Sequence, residues 1–277
     1  MRNVLYYIHP KDTEEAMRSK QRNEYILQRA LQDGFLSISD AAQAMNVSIE
    51  TVRRDINKLN NDGLLRKVRG GAEPIEKPLR KDISRRIRLY ENEEEKKRVG
   101  EIAAKMIRDN SIIGLDDGIS IQVMVDTIYD VKNVTFITNS LPIATILSDK
   151  LFRKEITGRL IFIGGEINIE NYHSYGALTL DALKAFNFDQ VFLSCTALSA
   201  QGVSDYNTEE GFFSAYLAKH SLQSILLATK DKLGKKSVYK YAELTDFDFI
   251  VLDDPSSIPS DIKKALKKSS TKLIYTS

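Results

Sequence analysis

Apolar positions early in the chain recur with a helical period. Ile26, Leu27, Ala30 and Leu31 fall on one face of a predicted helix over residues 19–32, which Gly34 ends. Ser37-Ile38-Ser39-Asp40 has the spacing of a capping box, with a carboxylate three residues after the cap, and opens a short helix through Met45. Asn46 belongs to a residue type that tolerates left-handed backbone, which suits a tight turn. Ser48 caps the next helix, whose Val52, Ile56 and Leu59 stand at i, i+4 and i+7. Helix, short turn, helix is the form of a helix-turn-helix. Asp62-Gly63 then signals a turn. Leu64-Leu65-Arg66-Lys67-Val68-Arg69, with Gly70-Gly71 behind it, predicts a small basic β-wing.

Residues 73–90 carry Pro74, Pro78 and a run of Lys and Arg, and read as a basic linker with a helical stretch near 83–89. Asn92-Glu93-Glu94-Glu95 has cap chemistry and starts a helix to about residue 107. Beyond it, short apolar runs at 112–115, 134–138, 160–163, 190–193, 224–228, 249–252 and 272–275 predict buried strands. Helical stretches at 121–128, 143–147, 179–186, 210–219 and 260–268 separate most of them. Strands alternating with helices argue for an α/β domain with a mostly parallel sheet. The expected organisation is an N-terminal extension (1–18), an α-helical winged helix-turn-helix (19–72), the linker (73–90) and the α/β domain (91–277).

Length and charge sharpen this picture. The 277 residues suit one small domain and one larger one. No apolar run approaches the roughly 20 residues of a membrane helix. The patch from Val4 to Ile8 is too short for a signal-peptide core, so a cytoplasmic location and no membrane partner are expected. Cys195 is the only cysteine, which rules out an intrachain disulfide, and it reads as a buried structural thiol. The three histidines, His9, His173 and His220, are scattered without zinc-type spacing, so neither metal nor cofactor is expected. Residues 1–90 hold 18 Lys and Arg against 12 Asp and Glu, whereas the remainder holds 22 against 26. A basic module on a mildly acidic one suits a phosphate-backbone partner for the first part only.

The second helix of the motif would present Glu50, Thr51, Arg53, Arg54, Asn57 and Lys58. Arginine can bond guanine in a bidentate fashion, asparagine can do so with adenine, and threonine can meet a phosphate or a thymine methyl. Asp55, acidic among them, is expected to hold an arginine in position. The residues expected on double-stranded DNA are Ser37, Ser48, Thr51, Arg53, Arg54, Asn57, Lys58, Arg66, Lys67 and Arg69. One such motif covers a half-site, so a homodimer or homotetramer is expected.

Val47-Ser48, Thr51-Val52-Arg53-Arg54-Asp55-Ile56, Leu59, Gly63-Leu64-Leu65 and Gly70-Gly71-Ala72 together resemble the N-terminal signature of the DeoR family of bacterial transcription regulators. The resemblance covers about residues 20–253. It places the usual start near Met17-Arg18-Ser19-Lys20, with residues 1–16 an extension or an upstream start. It implies a second domain related to the ribose-5-phosphate isomerase fold, and a regulator, in the repressor sense, of a carbohydrate operon. A small phosphorylated metabolite, a sugar phosphate, would control its DNA affinity.

Three loops follow strands and hold small or hydroxyl residues. They are Asp116-Asp117-Gly118-Ile119-Ser120, Thr138-Asn139-Ser140 and Gly164-Gly165-Glu166. Ligands of open α/β sheets bind at the carboxyl ends of strands, where amides and hydroxyls can hold phosphate. The expected effector residues are Asp116, Gly118, Ser120, Thr138, Asn139, Ser140, Gly164, Gly165, Glu210 and Lys232. The resemblance implies that Lys232 is the charge on the anion. Departures from the family pattern are Ile119 and Ile121 in place of hydroxyl residues, Ser194-Cys195-Thr196-Ala197 in place of Gly-Ala-Asp-Gly, and Thr229 in place of an aspartate. Together they remove two carboxylates. His173 and Tyr175 fall in a loop after Gly165 that suits pocket or solvent alike. Two other readings stand beside the sensor: a ligand-free oligomerisation platform, and a sugar-phosphate isomerase-like enzyme using Asp116, Asp117, Glu209 or Glu210 as base. The helix-turn-helix has no role in isomerisation, so no enzyme activity is expected.

Overall fold

The computed structural model describes residues 33–75 and 85–275, with residues 19, 22, 23, 25–27 and 29–31 ahead of them. The expected extension, 1–18, and the middle of the expected linker, 76–84, lie outside the described residues. The chain divides into two units after Glu91.

In the first unit, helix α1 occupies the described positions between 19 and 33. It is followed by β1 (Leu36–Ser37), α2 (Ile38–Met45), α3 (Ile49–Asn61), β2 (Leu65–Val68), β3 (Gly71–Pro74) and α4 (Arg85–Tyr90). The caps act as the residue types suggest. Ser37 Oγ accepts from the Asp40 amide at 3.2 Å, and Ser48 Oγ from the Thr51 amide at 3.1 Å. Asn46 takes left-handed backbone between the two helices, at φ 51°. Ile26, Leu27, Ala30, Val52, Ile56 and Leu59 are sealed from solvent in one core. Strand β3 lies between β1 and β2 in an antiparallel sheet, and Arg69 sits exposed at the tip of the β2–β3 wing.

The second unit is built on a seven-stranded sheet. Its strands are β4 (Ile112–Leu115), β5 (Val134–Thr138), β6 (Gly158–Phe162), β9 (Gln190–Ser194), β12 (Ser224–Ala228), β14 (Phe249–Leu252) and β15 (Lys272–Tyr275). Every neighbouring pair is parallel, in the order β15-β14-β12-β9-β4-β5-β6. The remaining strands form two small antiparallel sheets: β7 (Glu166–Asn168) with β8 (His173–Tyr175), and β10 (Ala197–Ser199), β11 (Gly202–Asp205) and β13 (Tyr239–Ala242). The helices are α5 (Glu93–Ala104), α6 (Ile119–Thr127), α7 (Leu141–Phe152), α8 (Ala177–Leu183), α9 (Thr208–Lys219) and α10 (Ser260–Leu266).

Period-two alternation splits each central strand between two cores. Phe192, Ile225 and Leu227 join one core with Val99, Met124 and Leu147 of α5, α6 and α7. Val191, Leu193, Leu226 and Ala228 join the other with Leu183, Leu217 and Ile262 of α8, α9 and α10. The chain leaves β4 toward β5 and β6 on one side, then returns to lay β9, β12, β14 and β15 on the other. The topological switch point is therefore between β4 and β9, where a ligand crevice opens at the carboxyl ends of open α/β sheets.

Some sequence expectations are corrected. Asn92 makes no side-chain cap, because its φ of 50° is left-handed while capping geometry needs an extended residue. Helix α5 ends at Ala104, short of residue 107. The Gln190 side chain accepts from the Arg108 amide and donates to the Met106 carbonyl, each at 2.9 Å, and so holds the chain out of the helix on its way into β4. The last helix stops at Leu266, and His173 and Tyr175 belong to a strand instead of a loop.

Candidate effector site and DNA-contacting face

Helix α3 buries Val52, Ile56 and Leu59 and leaves Arg53, Arg54, Asn57 and Lys58 exposed. Asp55 turns inward at 6 % exposure. Arg22 of α1 meets it in a bidentate pair, Nε to Oδ2 at 2.6 Å and Nη2 to Oδ1 at 3.3 Å. Asp55 thus positions an arginine, but one from a different helix, and α3 is tied to α1 without use of its exposed side. The wing is tied to α3 as well. The Lys67 amide donates to Asn60 Oδ1 at 2.9 Å, and Lys67 Nζ donates to Asn57 Oδ1 at 2.7 Å. Arg66 pairs with Glu73 at 2.6 Å along the hairpin. Arg53 has only a loose, exposed partner, Glu50 at 3.5 Å. Thr51, Arg53, Arg54 and Lys58 therefore share one helix, capped by Ser48, with its three cations exposed, and the basic wing is bonded to it.

At the switch point, the loop after β4 carries Asp116-Asp117-Gly118 and faces Ser194-Cys195-Thr196 after β9. Asp116 is 2 % exposed and surrounded by donors from the interior. Oδ2 takes the Ser194 amide at 3.0 Å and lies 3.2 Å from the Ser194 hydroxyl. Oδ1 takes the Asp117 amide at 2.8 Å and lies 3.2 Å from Ser214 Oγ of α9. Burial, then the charge of Asp117, pushes its carboxyl well above the usual carboxylate range. Its oxygens are committed to joining β4, β9 and α9. Gly118 has an ordinary φ of −61° and is needed for closeness: a Cβ there would lie 1.7 Å from Ser194 Oγ.

Thr138, Asn139 and Ser140 follow β5 and are buried, with Ser140 at the N-terminus of α7. Asn139 Nδ2 donates to the Ser174 carbonyl at 2.8 Å, while Asn139 Oδ1 and Ser140 Oγ are buried without a hydrogen-bond partner in the structure. Gly165, at φ 156°, passes so near Thr179 that a Cβ would lie 2.0 Å from its hydroxyl; Gly164 beside it has open space. Ser120 is half-buried in the first turn of α6.

The two positions where threonine stands for aspartate each receive a carboxylate from nearby. Thr196 Oγ1 donates to Asp205 Oδ1 of β11 at 2.5 Å, and Thr229 Oγ1 to Asp231 Oδ1 at the same distance. Each threonine thus stands beside a carboxylate of another residue. Hydroxyl and carboxylate are shared between two residues, one of them on a strand that the sequence pattern does not reveal. Lys232 Nζ lies 3.2 Å from Asp231 Oδ2, both about one-quarter exposed. Burial would raise the Asp231 carboxyl, but the Lys232 charge and the Thr229 hydroxyl hold it below the usual range. Neighbouring Lys230 reaches Glu95, in the first turn of α5, at 3.3 Å. Cys195 is buried, and burial pushes its thiol far up, so it stays protonated and unreactive.

Glu210 of α9, at 7 % exposure, is brought to Asp117 and His173. Sequence spacing gives no sign of this trio, because its members come from a strand-end loop, a short hairpin and a helix far apart in the chain. The expected effector residues thus come from the ends of β4, β5, β6 and β12 and from α9, and Asp117 and His173 join Glu210 there.

Residues 22–77 match the model of a DeoR-like helix-turn-helix domain, and residues 91–254 match that of a DeoR C terminal sensor domain. The chain belongs to the DeoR family. It is similar to the HTH-type transcriptional regulator IolR of Bacillus subtilis, 31 % identical over 240 residues that span 86 % of this chain and 91 % of that protein. The lactose phosphotransferase system repressor of Staphylococcus aureus is 26 % identical over 237 residues, 86 % of this chain and 93 % of its own length. Among solved structures, ribose 5-phosphate isomerase A of Methanocaldococcus jannaschii overlaps 52 % of this chain and 56 % of its own, with a TM-score of 0.36 and 16 % identity. This DeoR-family chain is a transcription regulator, not an enzyme, with a helix-turn-helix unit ahead of an α/β sensor unit. Among the described residues, no helix is long and apolar enough to cross a membrane.

Proposed function

We propose that this DeoR-family chain represses a carbohydrate-metabolism operon, and that a small phosphorylated metabolite in the β4/β9 crevice controls its affinity for DNA. The observation that carries the reading is that the loops at the carboxyl ends of β4, β5 and β12, around the switch point, supply the N-terminus of α6, the buried and unpartnered Ser140 hydroxyl and the cation of Lys232. Helix N-termini offer amides to an anion. Carboxylates at Asp205, Glu210 and Asp231 suit the hydroxyls of a sugar. The names of relatives, which include a lactose phosphotransferase system repressor, agree with this reading. The protomers act as a dimer or tetramer, one half-site per helix-turn-helix.

Arg53→Ala and Arg54→Ala are each expected to weaken binding to an operator selected from random duplexes by about 1–3 kcal/mol, the worth of a bidentate base contact. Affinity of the parent should fall steeply between 50 and 200 mM salt, on the order of a thousandfold if six phosphates are contacted. Fluorescence anisotropy over a salt series checks both; unchanged affinity of the two variants would remove α3 from the groove.

Lys232→Ala should leave effector-free DNA binding intact and abolish release by a sugar-phosphate panel, because control requires different effector affinity in the two DNA-binding states. The Asp231 partner of Lys232 favours a second reading, in which the crevice holds no anion and the domain is an oligomerisation platform. If no phosphorylated metabolite shifts either the melting temperature or DNA affinity of the parent protein, that second reading replaces the first.

A further inference from the structure

We infer that Asp117, His173 and Glu210 form a binding site for a first-row transition-metal dication, zinc being the best fit. His173 Nδ1 lies 2.8 Å from Asp117 Oδ2 and 3.6 Å from Glu210 Oε1, and the three donor atoms fall within 4.8 Å of one another. Donors around a tetrahedral zinc with bonds of about 2.0–2.1 Å stand roughly 3.3 Å apart, within this range. All three side chains are at least nine-tenths buried, at 8 %, 1 % and 8 % exposure. An imidazole beside two carboxylates in the interior is a costly arrangement unless each group is satisfied.

The histidine is the independent observation. Its Nδ1 comes within ion-pair distance of Asp117 without hydrogen-bond geometry, and neither ring nitrogen has a hydrogen-bond partner in the structure. A buried imidazole nitrogen that lies 2.8 and 3.6 Å from oxygens of two carboxylates, with a hydrogen bond to neither, is placed to serve as a metal ligand. One nitrogen with two oxygens suits zinc or manganese better than the all-oxygen preference of calcium or magnesium.

The surroundings behave as supports for ligands. Asn171 Nδ2 donates to Glu210 Oε1 at 2.8 Å, and Asn207, which caps α9, donates to the same oxygen at 3.3 Å. Strand β8 is held against the β5 end by a bridge between Ser140 and His173 and by the Ser174 amide on the Asn139 carbonyl at 2.9 Å. Three protein ligands leave a fourth position for an exogenous oxygen, as in zinc sites that bind small molecules. The protein alone supplies the three ligands, and Glu210 is the one residue shared with the effector reading.

The test uses the full chain, stripped with chelator, and titrates Zn²⁺, Mn²⁺ and Mg²⁺ against melting temperature, with Co²⁺ as a spectroscopic probe. It is done in the His9→Gln/His220→Gln variant, which leaves His173 as the sole imidazole. At a hundredfold excess over Kd, zinc should raise the melting temperature by about 5–10 °C, with one equivalent of Co²⁺ giving tetrahedral absorption bands and Mg²⁺ giving no shift. His173→Gln and Asp117→Asn should remove the shift and the bands. The inference is overturned if the sole-imidazole variant shows neither shift nor bands, or if the His173→Gln and Asp117→Asn proteins keep them. Should those two fail to fold, the sole-imidazole titration decides alone. Failure here leaves Lys232→Ala and the metabolite panel to judge the effector reading separately.

Discussion

Arg22→Ala is expected to unfold most of the DNA-binding unit while the sensor unit melts as before. The Arg22 guanidinium pairs with an Asp55 carboxylate that is 6 % exposed, and it reaches from one helix to another to do so. Without it, a charged group stays in the core of a small domain. Breaking such a pair costs about 3–5 kcal/mol, and the lower end applies here because the Arg22 side chain keeps 20 % exposure. A domain of this size holds only a few kcal/mol of stability in total. Operator binding should vanish, far beyond the loss from any single base-contacting arginine. Calorimetry should show the first transition moved or lost. Arg22→Met combined with Asp55→Leu should recover most of the stability, since a packed apolar pair avoids the desolvation cost. A loss below about 1 kcal/mol in the single variant would show that the pair does not hold α1 to α3.

Gly118→Ala is expected to damage the sensor unit at its centre. The added methyl would stand 1.7 Å from Ser194 Oγ and 2.5 Å from Ser194 Cβ, so removal of the hydroxyl alone cannot make room. Ser194 is itself held by Asp116 through both its amide and its hydroxyl. The strain therefore spreads to the joint between β4, β9 and α9. Overpacking of this kind costs about 1–3 kcal/mol, and the committed Ser194 places this site at the upper end. Ser194→Gly should restore part of the loss in the double variant, whereas Ser194→Ala should restore less. Denaturant midpoints for the four proteins decide the matter; equal midpoints for Gly118→Ala and the parent would mean that the loop moves freely.

Much of the fold is legible in the sequence because its signals are local. The central strands β9 and β12 of the main sheet are buried on both faces and read as apolar runs, such as Ile225–Ala228. Caps at Ser37 and Ser48 mark helix starts by residue type alone. The small antiparallel strands are not legible. His173-Ser174-Tyr175 and Ala197-Leu198-Ser199 are three residues each, too short for alternation to register, and their conformation comes from partners elsewhere. The site is legible where a loop directly follows a strand, as at Asp116 and Thr138. It is illegible where residues meet only in space. Asp205 lends its carboxylate to Thr196 across a hairpin, and Asp117, His173 and Glu210 share no spacing. Asp116 and Asp117 are adjacent and identical in type, so sequence alone cannot say that one faces the interior joint and the other the histidine.

The contact between Lys230 and Glu95 bears on how far a message must travel. Glu95 lies in the opening turn of the sensor unit, four residues after its boundary at Glu91, and Lys230 lies two residues before the crevice lysine. The loop of the proposed crevice and the opening turn of the sensor unit are thus joined by one ion pair. On the proposed effector reading, an anion that draws Lys232 from Asp231 acts two residues from the pair that holds the opening turn of α5. The seven strands then serve as a fixed bench against which a small tool works, and no wave of rearrangement has to cross them.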